Sequence, residues 1–333
     1  MDIVCLGELL IDMFPAEVGR KLVEVSAFRP KPGGAPANVA VAAVRLGMQS
    51  AFIGKVGDDA FGHYLAGILR QEGVDVHGMR YDLEARTGMA FIAMPDVNSY
   101  EILFYRNPGA DMRLRADELD RELLQSARTF HFGSLSLGQE PSRSATLEAA
   151  RIARQGGALI SFDVNYRPLL WRGPDEARER VMATVPEVDL LKVNEIELEV
   201  LTGDRDPATA SAKLLDCGPA LVVVTLGPLG SFFRCRAGGE HVPAFRVETV
   251  DATGCGDAFI AGLLCQLITP TRSLPVSGRG AGERVDWRSQ LTLDRMREIL
   301  RYANAVGALT ALTLGVIPAL PTAEQVETFL RKT

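Results

Sequence analysis

Cysteine, histidine and tryptophan are scarce in this sequence, and long apolar runs are missing. Its 333 residues hold five cysteines, four histidines and two tryptophans. Cys5, Cys217, Cys235, Cys255 and Cys265 are odd in number, form no CxxC pair and are spaced unlike a small secreted disulfide scaffold. His63, His77, His131 and His241 lie far apart and none neighbours a cysteine pair, so no zinc-ligand spacing exists. Met1-Asp2-Ile3-Val4-Cys5 has no basic residues ahead of its apolar ones, unlike a secretory leader. No stretch reaches the roughly 20 apolar residues of a membrane span. Positive charge is not in excess either: 36 Lys+Arg against 42 Asp+Glu give −6 at pH 7. That balance leaves no basic face to displace counterions from nucleic acid. The expected partners are therefore small molecules, with no nucleic acid and no membrane, in the reduced cytoplasm.

What is present is an alternation. Ile3 to Leu10, Ala51 to Val56, Thr129 to Phe132, Ala158 to Phe162, Leu190 to Val193 and Leu221 to Thr225 read as short strands. Several lack polar alternation, as strands buried on both faces of a parallel sheet do. Helix-period segments at 59–72, 141–155, 174–184, 206–216 and 292–312 lie between or after them. The pattern predicts an α/β fold, a doubly wound mostly parallel sheet flanked by helices, over 1–333 as one domain. Residues 11–30 and 87–106 break the alternation with β-prone pieces, including Lys21-Leu-Val-Glu-Val25, and predict a small inserted sheet placed as a lid. Residues 270–290, rich in Gly, Pro, Ser and Arg, predict a surface loop.

Two segments carry chemistry. Asp251-Ala-Thr-Gly-Cys-Gly-Asp257-Ala-Phe259 follows a β-like run, Phe245 to Val250, and opens an apolar helical segment. Glycines at a helix start direct backbone N–H groups outward, where the helix dipole favours an anion. Asp257 would stand beside that anion, or would simply cap the helix. The second, Gly33-Gly34-Ala-Pro36-Ala-Asn38 through Gly47, is a turn opening a helix; its glycines permit close ligand approach or merely make the turn. Walker A, dinucleotide-fingerprint, GxSxG and HExxH patterns are all absent.

These two segments resemble the signature segments of the ribokinase-like (PfkB-type) carbohydrate kinases, in the right order and separation. Gly7-Glu-Leu-Leu-Ile-Asp12, Lys192-Val-Asn194-Glu-Ile-Glu197 and Thr225-Leu-Gly227-Pro-Leu-Gly230 resemble further motifs of that family. Within it, Phe104 to Met112, Ala303 to Leu309 and Gly315 to Thr322 are similar to fructokinase stretches. Asp163-Val-Asn165-Tyr-Arg167 is shared with the 2-keto-3-deoxygluconate kinases, in which arginines similar to Arg106 and Arg167 bind the substrate carboxylate.

The resemblance implies transfer of the γ-phosphate of ATP to a sugar's primary hydroxyl, fructose giving fructose 6-phosphate. The alternatives are a 2-keto-3-deoxygluconate kinase, or an inactive sugar-binding regulator on the same fold. By resemblance Asp257 is the general base, which needs no raised pKa because a carboxylate is already ionised at pH 7, and the N–H groups of Gly254, Cys255 and Gly256 hold the developing charge. Asp12, Gly33, Gly34 and Asn38 bind sugar, although Asp12 alone would also suit a turn before Pro15. Arg106 and Arg167 either reach the sugar or serve as surface charges and ion-pair partners. Lys192, Thr225, Gly227, Gly230 and Asn304 line the nucleotide; Lys192 could instead flank its strand, and the Gly227–Gly230 segment could be a plain strand turn. Asn194 and Glu197, sharing a helix face at i and i+3, reach Mg²⁺ through its waters, unless Glu197 is one more exposed acid. Asp251 and Thr253 match a K⁺ site, where Ala319 replaces the Ser of some members. Ala252 and Cys255 also depart from the usual Thr and Ala. A thiol at a helix start is expected to have a lowered pKa and to be oxidisable. The resemblance further implies a homodimer, packed through the inserted sheet if 11–30 and 87–106 form an open sheet with one apolar face.

Overall fold

The computed structural model describes residues 1–96, 99–269 and 285–333. Its strands are β1 (Ile3–Leu6), β2 (Leu10–Pro15), β3 (Phe28–Gly33), β4 (Ser50–Gly57), β5 (Met79–Asp82), β6 (Met89–Asp96), β7 (Ser99–Tyr105), β8 (Thr129–Gly133), β9 (Leu159–Asp163), β10 (Leu190–Asn194), β11 (Leu221–Thr225), β12 (Ser231–Cys235) and β13 (Gly238–Val242). The main sheet has nine strands in the order β13-β12-β11-β10-β9-β8-β1-β4-β5. From β11 to β5 every pairing is parallel, and β12 and β13 add an antiparallel edge. A second sheet, ordered β3-β2-β6-β7, is built from the two segments that broke the alternation.

Burial on both faces follows from side-chain alternation along apolar strands. In β1, Ile3 and Cys5 enter one core while Val4 and Leu6 enter the other; Leu221 and Val223 of β11 divide likewise from Val222 and Val224. The first core is closed by α1 (Ala35–Arg45), α2 (Ala60–Gln71), α8 (Cys255–Leu267) and α9 (Leu293–Thr310). The second is closed by α3 (Arg121–Ser126), α4 (Ser142–Gln155), α5 (Pro174–Thr184), α6 (Glu195–Thr202) and α7 (Pro207–Leu215). Two short helices, α10 (Val316–Ala319) and α11 (Ala323–Lys332), follow α9. Almost every residue of α8 is buried, so the helix that opens with the Gly254-Cys255-Gly256 turn is held on all sides.

Three expectations need correction. The strand predicted over Ile3 to Leu10 ends at Leu6, and Leu10 begins β2 in the other sheet; between them Glu8 turns inward to accept the Ala35 N–H at 2.9 Å. Lys21 to Val25 contains a 3₁₀ turn, Leu22–Glu24, because Glu24 and Glu101 accept the N–H groups of Lys21 and Leu22 that a strand would need for its ladder. Phe245 to Val250 is irregular: Phe245 packs edge-to-face on Phe329 of α11 at 5.0 Å, and the Val250 N–H goes to the Ala311 carbonyl. Most of the loop predicted at 270–290 lies outside the described residues; its end, Trp287–Gln290, is a 3₁₀ turn.

Phe132 and Phe162 stack at 4.8 Å in the second core, directly before the residues that end β8 and β9. Truncating a large buried aromatic loses both transfer and cavity terms. We expect Phe162→Ala to lower the unfolding free energy by about 3–5 kcal/mol in guanidinium titrations, whereas Phe162→Leu should lose markedly less.

Candidate active site

Parallel strands present their carboxyl ends, and the loops beyond them, to one side of a sheet. On that side α8 begins, and Asp251 builds the approach to it. Its Oδ1 accepts the Thr253 N–H and hydroxyl at 2.9 and 2.6 Å, and its Oδ2 accepts the Gly315 N–H at 2.9 Å. The loop is thereby fixed to the segment following α9. Gly254 then turns with φ +79°, and a Cβ there would stand 2.3 Å from Val316 Cγ1, so glycine is required twice over. Among the described residues the N–H groups of Gly254 and Gly256 have no protein acceptor. That of Cys255 does not join them as expected, because it donates to the Ala252 carbonyl at 3.3 Å.

Asp257 does not cap α8; Gly254 holds that position. Its carboxylate is buried and accepts the Asn38 amide N–H at 2.8 Å from α1, whose first turn begins at Gly34 with Pro36 in place. Burial pushes the Asp257 carboxyl up to about 7; the Asn38 bond opposes this, Asp163 adds to it, and Arg167 and Lys192 pull it back. The sequence did not require a raised base; burial supplies one.

Beneath Gly256 lies Lys192, whose Nζ would be 3.3 Å from a Cβ at that glycine. Lys192 is no plain strand flank: it bonds both oxygens of Asp163 at 3.0 Å, and both side chains are buried. Burial alone would lower the ammonium pKa, but Asp163, Glu197 and Asp257 outweigh it and raise it. Glu197 is buried, not exposed. Its two oxygens accept the N–H groups of Tyr166 and Asn194 at 2.8 Å, while Asn194 Oδ1 accepts the Glu197 N–H at 2.9 Å. Asn194 is therefore the N-cap of α6 in a capping box and does not share a helix face with Glu197. Burial raises the Glu197 carboxyl, against the pull of Lys192.

Asp12 stands mid-strand in β2, opposite Lys31, and is not a turn residue. A Cβ on Gly33 would be 2.1 Å from its Oδ2, so the bare backbone is what admits the carboxylate. Burial pushes Asp12 up to about 7, with Arg167 opposing and Glu8 adding. Gly34, at φ +118°, places the first N–H of α1 on Glu8. Arg167 is exposed, makes only a 3.3 Å bond to the Tyr166 carbonyl and has no carboxylate within ion-pair range among the described residues. Its field reaches both Asp12 and Asp257. Arg106 differs: it is buried, and its Nε and Nη2 both bond Asp111 Oδ2.

Farther along the strand ends, Thr225 closes β11 and bonds the Val193 carbonyl at 3.4 Å, and Gly227 and Gly230 shape the turn into β12. The Asn304 amide is committed elsewhere than expected, donating to the carbonyls of Val242 and Pro243 at 3.1 and 3.2 Å. Three buried acids of this region were not singled out from sequence: Glu8, Asp111 and Asp163. The available signal was an acid ending an otherwise apolar strand, as Asp163 does in Leu159–Asp163.

A buried carboxylate beside free helix-start N–H groups can take a proton from a hydroxyl while the N–H groups hold an anion. For metals, no group of three His, Cys, Asp or Glu that could hold an ion exists among the described residues. Asn194 and Glu197, already bonded to backbone N–H groups, fit contact with a hydrated ion through their remaining lone pairs. Asp251 Oδ1 is engaged with Thr253 and Oδ2 with the Gly315 N–H, so a monovalent ion there would draw on remaining lone pairs and backbone carbonyls.

The chain matches the pfkB family carbohydrate kinase model over residues 1–323. It is 45% identical over 331 residues to the probable fructokinase-2 of Arabidopsis thaliana, covering 99% of this chain and 95% of that one. The fructokinase of Xylella fastidiosa with bound ATP superposes with a TM-score of 0.85 at 30% identity, covering 99% and 98% of the two chains. A double mutant of the Vibrio cholerae O395 fructokinase in fructose, ADP and potassium ion bound form gives 0.83 at 30% identity, covering 99% and 98%.

The raised carboxyl at Asp257 has a consequence for stability. Its folded pKa of about 7 exceeds the ordinary 3.8, so between these values the folded state binds the extra proton. Stability from this group is full below pH about 4 and is lost as pH rises through about 7. Asp257→Asn, which can also donate to the unpartnered Asn38 Oδ1, should be more stable than the parent by roughly 4 kcal/mol at pH 8. Urea unfolding should show that gain shrinking towards zero near pH 4.

Proposed function

Because the chain belongs to the pfkB family of carbohydrate kinases, we propose that it transfers the γ-phosphoryl group of ATP to the primary hydroxyl of fructose, giving fructose 6-phosphate. One observation carries this reading: a buried, proton-accepting Asp257 stands at a helix start whose Gly254 and Gly256 N–H groups are free. The fructokinases similar to this chain are named for that substrate; the Xylella fastidiosa structure holds ATP, and the Vibrio cholerae O395 double mutant holds fructose, ADP and potassium ion.

In this reading Asp257 takes the hydroxyl proton as the oxygen attacks phosphorus, and Asn38 keeps the carboxylate turned to the acceptor. Gly254 and Gly256 hold the charge that develops on the transferred group, with Cys255 contributing only to the turn. Asp12, with Gly33 and Gly34 clearing space beside it, accepts sugar hydroxyls. Arg167 supplies positive field across both carboxylates. Lys192 carries that field beneath Gly256, towards the phosphates. Thr225, Gly227 and Gly230 lie along the nucleotide. Bound Mg²⁺ would neutralise phosphate charge, reached through water by Asn194 and Glu197. A K⁺ beside Asp251 and Thr253 would add positive charge behind the helix start. The four-stranded sheet serves as a lid of one kinase domain, and five cysteines outside any disulfide suit the cytoplasm.

An assay of ADP release with Mg-ATP against fructose, 2-keto-3-deoxygluconate, ribose and adenosine tests the proposal. Fructose should be the preferred acceptor, and Asp257→Asn should lower kcat by roughly 10²- to 10⁴-fold with the fold intact. Sugar binding without turnover by the parent would instead identify a sugar-binding regulator.

The lid also supports a homodimer. Phe28, Phe91 and Tyr105 form an edge-to-face ladder at 5.1 and 5.4 Å, and Leu103, opposite Phe91 in the register, shares their face. Tyr105 is 60% and Leu103 46% exposed, an uncovered apolar surface on a sheet edge. Light scattering at micromolar concentration should give twice the chain mass, and Leu103→Glu should halve it; a monomeric parent would defeat this part of the reading.

A further inference from the structure

A sugar site selects between neutral and acidic substrates by whether it offers an uncompensated cation, and Arg106 lies close enough to the proposed sugar-binding Asp12 for its charge to bear on that choice. Arg106 follows β7, which β6 separates from β2, and its charge acts on Glu8, whose own field reaches Asp12. A guanidinium in such a place would ordinarily recruit a carboxylate through paired N–H donors. Here the pairing is already complete within the chain. Asp111 Oδ2 accepts from both Nε, at 2.7 Å, and Nη2, and the two side chains are 4% and 2% exposed.

The surroundings add negative charge, not positive. Glu8 is 4% exposed and bonds the Ala35 N–H through Oε1, while its Oε2 has no protein partner. Asp111 Oδ1 is likewise buried and unpartnered among the described residues. One arginine and two acids leave this cluster without net positive charge when the acids are ionised. Its open valences are acceptors, which suit hydroxyl donors and repel carboxylates. Gly88 and Gly109 pack the pair closely: a Cβ at Gly109 would be 2.5 Å from Asp111 Oδ1, so the acid has little room to swing away.

We propose that Asp111 is a specificity-determining residue, silencing Arg106 with its own carboxylate so that the site takes a neutral ketose and rejects a sugar acid. This rests on the sugar-kinase reading, so its test uses binding as well as turnover. Calorimetric titration with fructose and with 2-keto-3-deoxygluconate gives the affinity ratio without catalysis. The parent should bind fructose at least tenfold more tightly than the acid. Asp111→Asn, which keeps the shape and frees the guanidinium, should move the ratio at least tenfold towards the acid.

Uncovering a buried cation also threatens folding. The uncharged pair Arg106→Gln with Asp111→Asn therefore serves as the second variant, and it should leave the parent ratio unchanged within threefold. Three outcomes would overturn the assignment: a parent that binds the acid as well as fructose, a folded Asp111→Asn protein with an unaltered ratio, or an uncharged pair that loses acid binding relative to the parent. Ratios that follow expectation in a protein with no phosphoryl transfer would sink the kinase reading and leave the specificity assignment standing.

Discussion

One buried ammonium sets the terms for the rest of the site. Lys192 is fully enclosed with Asp163, Glu197 and Asp257 as its charged neighbours, and it bonds only the first. Breaking such a pair from one side costs about 3–5 kcal/mol, because the charge left behind keeps its desolvation penalty. The ends of β9 and β10 are therefore pinned to each other not only by their ladder but by charge. Glu197, with its oxygens bonded to Tyr166 and Asn194, extends that constraint to the start of α6 and to the loop after β9 that carries Arg167. Two acids would be unsupportable here without the lysine. With it, the negative charge still exceeds the positive, and Asp257, raised chiefly by its burial and further by Asp163, is held at about 7.

That imbalance has a functional sense. Asp251 accepts two backbone N–H groups and the Thr253 hydroxyl, so its oxygens are committed to the turn. Asp257 receives a single amide N–H, from Asn38, and lies in a low-dielectric setting. The two acids are six residues apart in sequence and do opposite work: one shapes the turn, the other remains reactive. Environment and not residue type divides them. The cost is borne by the fold, since a base kept short of hydrogen bonds destabilises the folded state wherever it is ionised.

Much of this was legible in the sequence. Strands such as Leu221–Thr225 were clear because apolar residues on both faces have no explanation except a doubly covered sheet. The glycine turn at 254–256 announced close backbone approach. Errors arose where a short apolar segment had more than one way to be satisfied. Phe245 to Val250 has strand chemistry, but its aromatic finds Phe329, so tertiary contact wins over propensity. The Asn304 donors were not foreseen to be taken up, because an amide on a helix carries no sequence mark saying whether they face a ligand or, as here, two backbone carbonyls. Glu8 and Asp111 were passed over because their importance lies in burial and in unfilled acceptor valences, which only the folded chain defines.

Cys255 shows how magnitudes decide such cases. Its place in the first turn of α8 suggests an activated thiolate, yet a helix dipole contributes only about 0.3–1 kcal/mol at an exposed end, less than one pKa unit. Burial opposes it, and Asp251 and Asp257 both disfavour a second anion nearby, so the thiol is pushed up to about 11. The expectation of a lowered pKa is therefore reversed. A thiol held neutral is also the better neighbour for Gly254 and Gly256: a thiolate there would cancel the positive potential of their free N–H groups and compete for the anion they are placed to hold. The burial that raises the base thus also keeps the sulfur protonated, and the helix start is left with positive potential directed at a ligand.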